Sequence, residues 1–223
     1  MAVSNRSISD SKIKPMGFDG KWLASFGNVP DYGVWFVYGG SGSGKTSFIM
    51  QLAKYLTSFG NVFFNSLEMS FIRKNKKLIK PADFKIAWDR VNMSDVEGKI
   101  NADTEQLDKL RVRLSAKRSP QIVIIDSLQY IRLSNTGRRA QFGELVDFFN
   151  QFHDKLFIIS GHADGKEPRK GIGVDMMFHA SVKVYVDGYK AFIRSRFPVD
   201  ENWTSEPFVI WEQGANIYHV DKI

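Results

Sequence analysis

The 223-residue sequence contains no cysteine. That excludes disulfides and every metal site built on thiolates, and it fits a reducing compartment, so a cytoplasmic protein is expected. Long apolar runs are missing too. Nothing approaches the roughly 20 residues needed to span a bilayer, and the opening MAVSNRSISD lacks the apolar centre of a signal peptide. No membrane partner is expected. Acidic residues are in deficit, 24 against 31 Lys and Arg, which leaves a net charge of +7. Such a balance is either plain solubility charge or the footprint of a polyanionic partner. No internal repeat and no linker-like stretch interrupts the chain, and the 43% hydrophobic content is ordinary for a globular protein. The expectation is a flexible N-terminal arm over residues 1–16 and one α/β domain over 17–223.

What is present centres on Gly39-Gly40-Ser41-Gly42-Ser43-Gly44-Lys45-Thr46, a G-x-x-x-x-G-K-T phosphate-binding loop. The residues before it, Val34 to Tyr38, form a continuous apolar run that suits a strand buried on both faces. After it, Phe48, Ile49, Leu52, Tyr55, Leu56 and Phe59 recur at helical spacing, and Gly60 is the expected stop. A glycine-rich turn between strand and helix exposes backbone N–H groups to an anion, and the helix N-terminus adds partial positive charge. Lys45 is placed to reach the β- and γ-phosphates, and the Thr46 hydroxyl to reach Mg²⁺.

The rest of the chain supplies partners for that loop. Residues 18–27 carry Phe18, Trp22, Leu23 and Phe26 at near-helical spacing and predict a short covering helix. Residues 61–68 read as a second strand with Glu68 at its carboxyl end, where ligands of open α/β sheets lie. A carboxylate there can orient and deprotonate water. Five basic residues fall within 73–80, read as a solvated helix face or a polyanion contact. Lys85–Val91 reads as a short strand, and Thr104 as the N-cap of a helix carrying Leu107, Leu110 and Leu114. Gln121–Asp126 is an apolar run ending in Asp, a Walker B pattern that delivers a carboxylate to the metal held by Thr46. Leu156–Ser160 reads as another buried strand, with His162 just beyond it as a candidate γ-phosphate sensor. Two basic turn-rich loops follow strands, 132–139 and 163–173. Val182–Val186, Asp187-Gly188 and Ala191–Arg196 read as a hairpin, with Arg194 and Arg196 on one face of its second strand. The segments 208–211 and 216–220 are expected to close the sheet as antiparallel strands.

Four stretches together, GGSGSGKTS, NSLEMS, IVIIDSLQY and FIRSR, make the chain resemble the RecA-like P-loop ATPase core, closest to the DnaB-type helicase and RadA branches. The resemblance covers roughly residues 30–212. It implies an α/β fold with a mainly parallel central sheet flanked by helices and antiparallel C-terminal strands. It implies ATP as substrate and Mg²⁺ as cofactor, with nucleotide held by Gly39, Gly40, Ser41, Gly42, Ser43, Gly44, Lys45, Thr46 and Ser47. Thr46 and Asp126 match the metal ligands, Glu68 the residue that activates water, and Lys45 the phosphate lysine. His162 falls where the family carries a polar sensor. Arg194 and Arg196 match a basic pair that reaches a neighbouring subunit's γ-phosphate, which implies a ring or filament of identical subunits. The two basic loops, with Arg132, Arg138, Arg139, Lys166, Arg169 and Lys170, match the family's nucleic-acid-binding loops, so single- or double-stranded DNA is the expected partner. The sequence departs from both branches in lacking their additional domains, which points to an accessory ATPase of a phage or mobile element, and the protein that would load it is not legible. An ATP-dependent oligomeric switch that binds proteins is the alternative. A small-molecule kinase fits less well, because Glu68 and the arginine pair suit water attack at a shared site.

Overall fold

The computed structural model describes residues 14–74 and 77–220. Of the N-terminal arm, residues 1–13 lie outside the described residues. The Met16 N–H donates to the Val29 carbonyl at 2.8 Å, and Met16 packs against the core.

Among the described residues nine strands form one sheet. Its centre is β1 (Gly33–Gly39), and the other parallel strands are β2 (Val62–Ser66), β5 (Ile100–Asp103), β6 (Ile122–Asp126), β7 (Leu156–Asp164) and β9 (Val182–Asp187). Two antiparallel strands, β10 (Lys190–Ser195) and β11 (Phe208–Val209), extend one side, giving the order β11-β10-β9-β1-β7-β6-β2-β5. The short β8 (Glu167–Pro168) folds back on β7. Helices cover both faces: α1 (Gly20–Phe26), α2 (Lys45–Leu56), α3 (Ala82–Arg90), α4 (Leu107–Leu114), α5 (Phe142–Gln151), α6 (Ile172–His179) and α7 (Glu212–Val220). Because the central strands are covered on both faces, β1, β2 and β6 are buried almost throughout, as their apolar runs imply.

One apolar cluster lies on the α2 side, where Phe48, Ile49, Leu52 and Leu56 meet Trp35, Val37 and Phe64. A second lies on the α5 side, around Leu145, Phe148, Phe149, Val123 and Phe157. The seven-residue α1 is too short to hold itself in water. It is held by burial of Trp22 and Phe26, each contributing about 2 kcal/mol, with the Trp22 ring stacked on Tyr55 at 4.9 Å.

Several local expectations are corrected. Residues 72–79 form a two-stranded antiparallel hairpin, β3 (Ile72–Lys74) and β4 (Lys77–Ile79), and not a helix face; positions 75 and 76 lie outside the described residues. Residues 85–90 belong to α3, with Val91 as its C-cap, and not to a strand, because Phe84, Ala87, Trp88 and Val91 meet the core at helical spacing. Helix α2 ends at Leu56, four residues before Gly60. The N-cap of α4 is Gln106, since the Thr104 hydroxyl is engaged elsewhere. Residues 216–220 are helical, within α7, so β11 alone closes the sheet on that side. Strand β10 ends at Ser195, so Arg194 is on the strand and Arg196 beyond it.

Candidate active site

The carboxyl ends of β1, β2, β6 and β7 lie side by side. Register pairs Ser66 with Asp126 across β2 and β6, and Gly39 with His162 across β1 and β7. The first turn of α2 starts from the same edge. Gly44 precedes it in the left-handed region at φ 101°, where a side chain is strained. A Cβ on Gly39 would stand 2.3 Å from the Val186 carbonyl oxygen, so the strand leaves the sheet close against β9 only because glycine is there. The Lys45 Nζ donates to the Gly40 carbonyl at 3.1 Å, bent back across its own loop.

Asp126 is buried at 4% exposure. Its Oδ1 accepts a hydrogen bond from the Ser160 hydroxyl on the adjacent strand. Burial is the main influence on this carboxyl and raises its pKa above the ordinary value; nearby Glu68 pushes the same way, while Ser160, Lys45 and His162 oppose it. Burial also lowers the Lys45 pKa, against the pull of Asp126 and Glu68. The four groups therefore share one electrostatic neighbourhood.

Glu68 stands two residues past the end of β2, on a turn fixed from several sides. The Asp126 carbonyl accepts from both the Leu67 and Glu68 N–H groups, at 2.6 and 2.9 Å. The Thr104 hydroxyl donates to the Ser66 carbonyl at 2.6 Å and accepts from the Phe71 N–H at 2.7 Å, clamping the start and end of the turn. Asn65 pairs with the Glu105 backbone in both directions. The Glu68 carboxylate accepts from the Ser127 hydroxyl at 3.1 Å, and its Oε2 is 3.6 Å from His162 Nε2. Its side chain stays 38% exposed, which leaves it open to water.

Lys45, Thr46, Asp126, Glu68 and His162 thus gather at one edge, as their sequence positions anticipate. Sequence reasoning missed Ser127 and Ser160, whose hydroxyls hold the carboxylates, and the turn-clamping role of Thr104, which it read as a helix cap. The signal for two of them was available: a serine directly after the Walker B aspartate, and a serine closing the apolar run LFIIS. A hydroxyl and a buried carboxylate are hard oxygen donors of the kind Mg²⁺ takes alongside phosphate oxygens and water, so Thr46 and Asp126 suit that ion. Among the described residues no cluster of three or more His, Asp and Glu offers an all-protein metal cage.

The arginine pair lies elsewhere. Arg194 is opposite Lys183, which is itself opposite Phe36, in mid-sheet, and the chain then runs toward the amino ends of the parallel strands. Arg194 and Arg196 are both exposed. The two basic loops meet at a cavity of about 270 Å³ lined by Arg139, Arg169, Lys170, His162 and Gln129. The Arg169 N–H donates to the His162 carbonyl at 2.9 Å, tying the second loop to the site. Arg138 makes a two-pronged pair with Glu144, at 2.9 and 2.6 Å, and Arg132 bonds the Gly137 carbonyl at 2.8 Å. Lys166 is at the tip of the turn between β7 and β8.

A phosphate loop leaving the central strand, an acidic tip on the strand two places away and a parallel sheet continued by antiparallel strands define a RecA-like P-loop ATPase core. Residues 22–169 match the family model of ATPase domains found predominantly in Archaea, and the chain belongs to that family: it is an ATPase. Many solved structures share the fold, among them the following two. The flagellar accessory protein FlaH from Methanocaldococcus jannaschii aligns at 12% identity over 89% of this chain and 97% of its own, with a TM-score of 0.59. The ATPase domain of G40P aligns at 14% identity over 94% of this chain and 92% of its own, with a TM-score of 0.58. No curated protein sequence matches. The family match includes Lys45, Glu68, Asp126 and His162 and stops short of the arginine pair. Among the described residues no helix is long and apolar enough to cross a membrane.

Proposed function

We propose that the chain is a nucleic-acid-stimulated ATPase that works as an assembly of identical subunits. The carrying observation is the convergence of Lys45, Asp126, Glu68 and His162 at the edge where α2 begins. Lys45 leaves the Gly40 carbonyl to meet the β- and γ-phosphates, and the loop amides hold the remaining phosphate oxygens. Mg²⁺, held by Thr46 and Asp126, would supply charge neutralisation at the phosphates. Ser127 fixes one oxygen of Glu68, and the other orients water in line with the γ-phosphorus and takes its proton. His162 reports the γ-phosphate to the second basic loop through the Arg169 N–H.

Arg194 stands level with Phe36, short of the carboxyl edge where the phosphate loop begins, and Arg196 lies beyond the end of β10, a placement that supports a role toward a neighbour's site. Arg139, Arg169 and Lys170 around the inter-loop cavity, with the unpartnered Gln129 amide oxygen, fit a phosphate backbone and its sugars. One observation favours a second reading, an ATP-controlled switch that binds proteins. Arg138 is already committed to Glu144, so the first loop offers less free charge than its sequence suggests, and FlaH is named as an accessory protein.

The test is ATP turnover with and without a single-stranded oligonucleotide, at low and high salt. Stimulation that fades with salt is expected. The same assay on Arg194→Ala/Arg196→Ala protein should recover activity when Lys45→Ala subunits are added, since each supplies what the other lacks. Indifference to the oligonucleotide favours the switch, and no recovery on mixing removes the shared site.

A further inference from the structure

The basic run at 73–80 has no part in the site described above. It holds five cations, and no acidic residue falls between Glu68 and Asp83. Its described part is β3 and β4, a two-stranded ribbon separate from the main sheet, with Lys80 just beyond. We infer that this ribbon grips single-stranded nucleic acid and passes that contact to Glu68. The inference rests on the reading of the chain as a nucleic-acid-stimulated ATPase, and it names a contact and a route which that reading lacks. Topology supplies the first argument. The ribbon follows β2, the loop 132–139 follows β6, and the loop 163–173 begins in the last residues of β7. These strands are parallel neighbours in the order β7-β6-β2. Three cation-rich segments thus leave one edge of the sheet side by side, a layout that suits a chain of phosphates crossing that edge.

The ribbon itself supplies the second. Register sets Lys74 opposite Lys77. Like charges at opposed positions weaken a hairpin, and a two-stranded ribbon this short is marginal by itself. Charge kept there despite that penalty is explained by an anion that offsets it. Ile72 and Ile79 are also opposite each other, 58% and 47% exposed. Lysines can guard a free strand edge against pairing with other chains, but a guarded edge does not display isoleucine. The bases of a single strand offer such a pair an apolar face, whereas a duplex keeps those faces stacked inside. Cations beside an exposed apolar pair therefore suit a single strand better than a duplex.

The route to Glu68 is short. Phe71, directly before Ile72, is buried and meets the Phe84 ring edge-on at 4.9 Å, so the root of the ribbon is anchored in the core. The turn between Ser66 and Phe71 is bonded within itself. The Ser66 hydroxyl donates to the Met69 carbonyl at 2.7 Å, and the Ser70 hydroxyl to the Leu67 carbonyl at 2.8 Å. Thr104 joins the two ends of the turn. A turn so closed moves as one piece, and a shift at the root of the ribbon reaches the Glu68 backbone.

Fluorescence anisotropy of a labelled single-stranded oligonucleotide over a range of salt, with ATP turnover of the same full-chain protein, tests this. Lys74→Gln/Lys77→Gln/Lys80→Gln should bind the oligonucleotide about tenfold more weakly and flatten the slope of log affinity against log salt by about 2. Its turnover without oligonucleotide should match the wild type, and at saturating oligonucleotide it should stay near that basal rate. Arginine at the same three positions should keep both binding and stimulation. Ile72→Ser/Ile79→Ser should weaken the single strand about threefold, with the salt slope and duplex binding unchanged. A melting temperature at or above the wild-type value, expected once the opposed lysines are gone, shows that the glutamine variant is folded. Unchanged affinity and slope in that variant overturn the contact. Full stimulation of it at saturating oligonucleotide overturns the route to Glu68. Equal loss of single strand and duplex in the isoleucine variant overturns the choice of a single strand. A wild-type chain that binds no oligonucleotide would overturn the nucleic-acid reading and this inference with it.

Discussion

The two carboxylates of the site sit on neighbouring strands and are held in opposite ways. Asp126 ends β6 as part of the strand, enclosed, with its Oδ1 bonded to one hydroxyl. Glu68 stands on a turn beyond β2, with a scaffold that fixes its backbone while its carboxylate stays partly open. A carboxylate that meets a cation gains from lost solvent, because the attraction strengthens as the dielectric falls. One that handles water must keep contact with water. The difference fits the roles proposed for the two, the metal for Asp126 and the water for Glu68, without reference to the motif either belongs to.

The largest effect that would break this contrast is on Asp126. Asp126→Asn should reduce hydrolysis about 10³-fold, the scale of several kcal/mol of lost charge stabilisation. It should also raise the melting temperature of the nucleotide-free protein. The sign follows from the raised pKa. Above the ordinary value of 3.8 the unfolded chain releases this proton while the folded chain resists, so stability falls as pH climbs from there through the raised folded value. Removing the charge relieves that cost, an expected gain of about 2–4 °C at neutral pH per kcal/mol recovered. Thermal melts at pH 4 and pH 7 check it: the gain should be smaller at pH 4. Equal melting temperatures at neutral pH would mean that Asp126 is not under the strain its burial implies.

A smaller effect would sharpen the other half. Ser127→Ala removes the hydroxyl that holds Glu68, a loss of about 1 kcal/mol and about fivefold in kcat. KM for ATP should be unchanged, and Ser127→Thr should restore the rate. A change confined to KM would place Ser127 in binding and not in positioning.

The centre of the molecule was legible because several signals coincide there. Around the phosphate loop, glycine spacing, an apolar strand and a periodic helix all agree, and the same holds for Gln121–Asp126. The peripheral segments carry one weak signal each. In Lys85–Val91, Ile86 and Trp88 alternate as in a strand, yet Phe84, Ala87, Trp88 and Val91 bury a helical face; seven residues cannot separate the two periods. Thr104 has the composition of a cap, and only the fold reveals that Ser66 and Phe71 claim its hydroxyl. Segment 216–220 reads as a strand, but Ile217 and Tyr218 lie exposed on α7, which turns Gly214 and Ala215 inward. The basic run at 73–80 shows charge without period, so its hairpin could not be read. Ser127 and Ser160 stand at recognisable ends of apolar runs, but which carboxylate each hydroxyl meets is set only by how the strands lie side by side.

The most direct measurement of the central claim is single-turnover hydrolysis by Glu68→Gln together with its affinity for MgATP. The account predicts that the rate falls about 10²–10⁴-fold, the worth of a positioned general base, while affinity stays within about threefold because Lys45, Thr46 and Asp126 are untouched. Hydrolysis at the wild-type rate in that variant would contradict it.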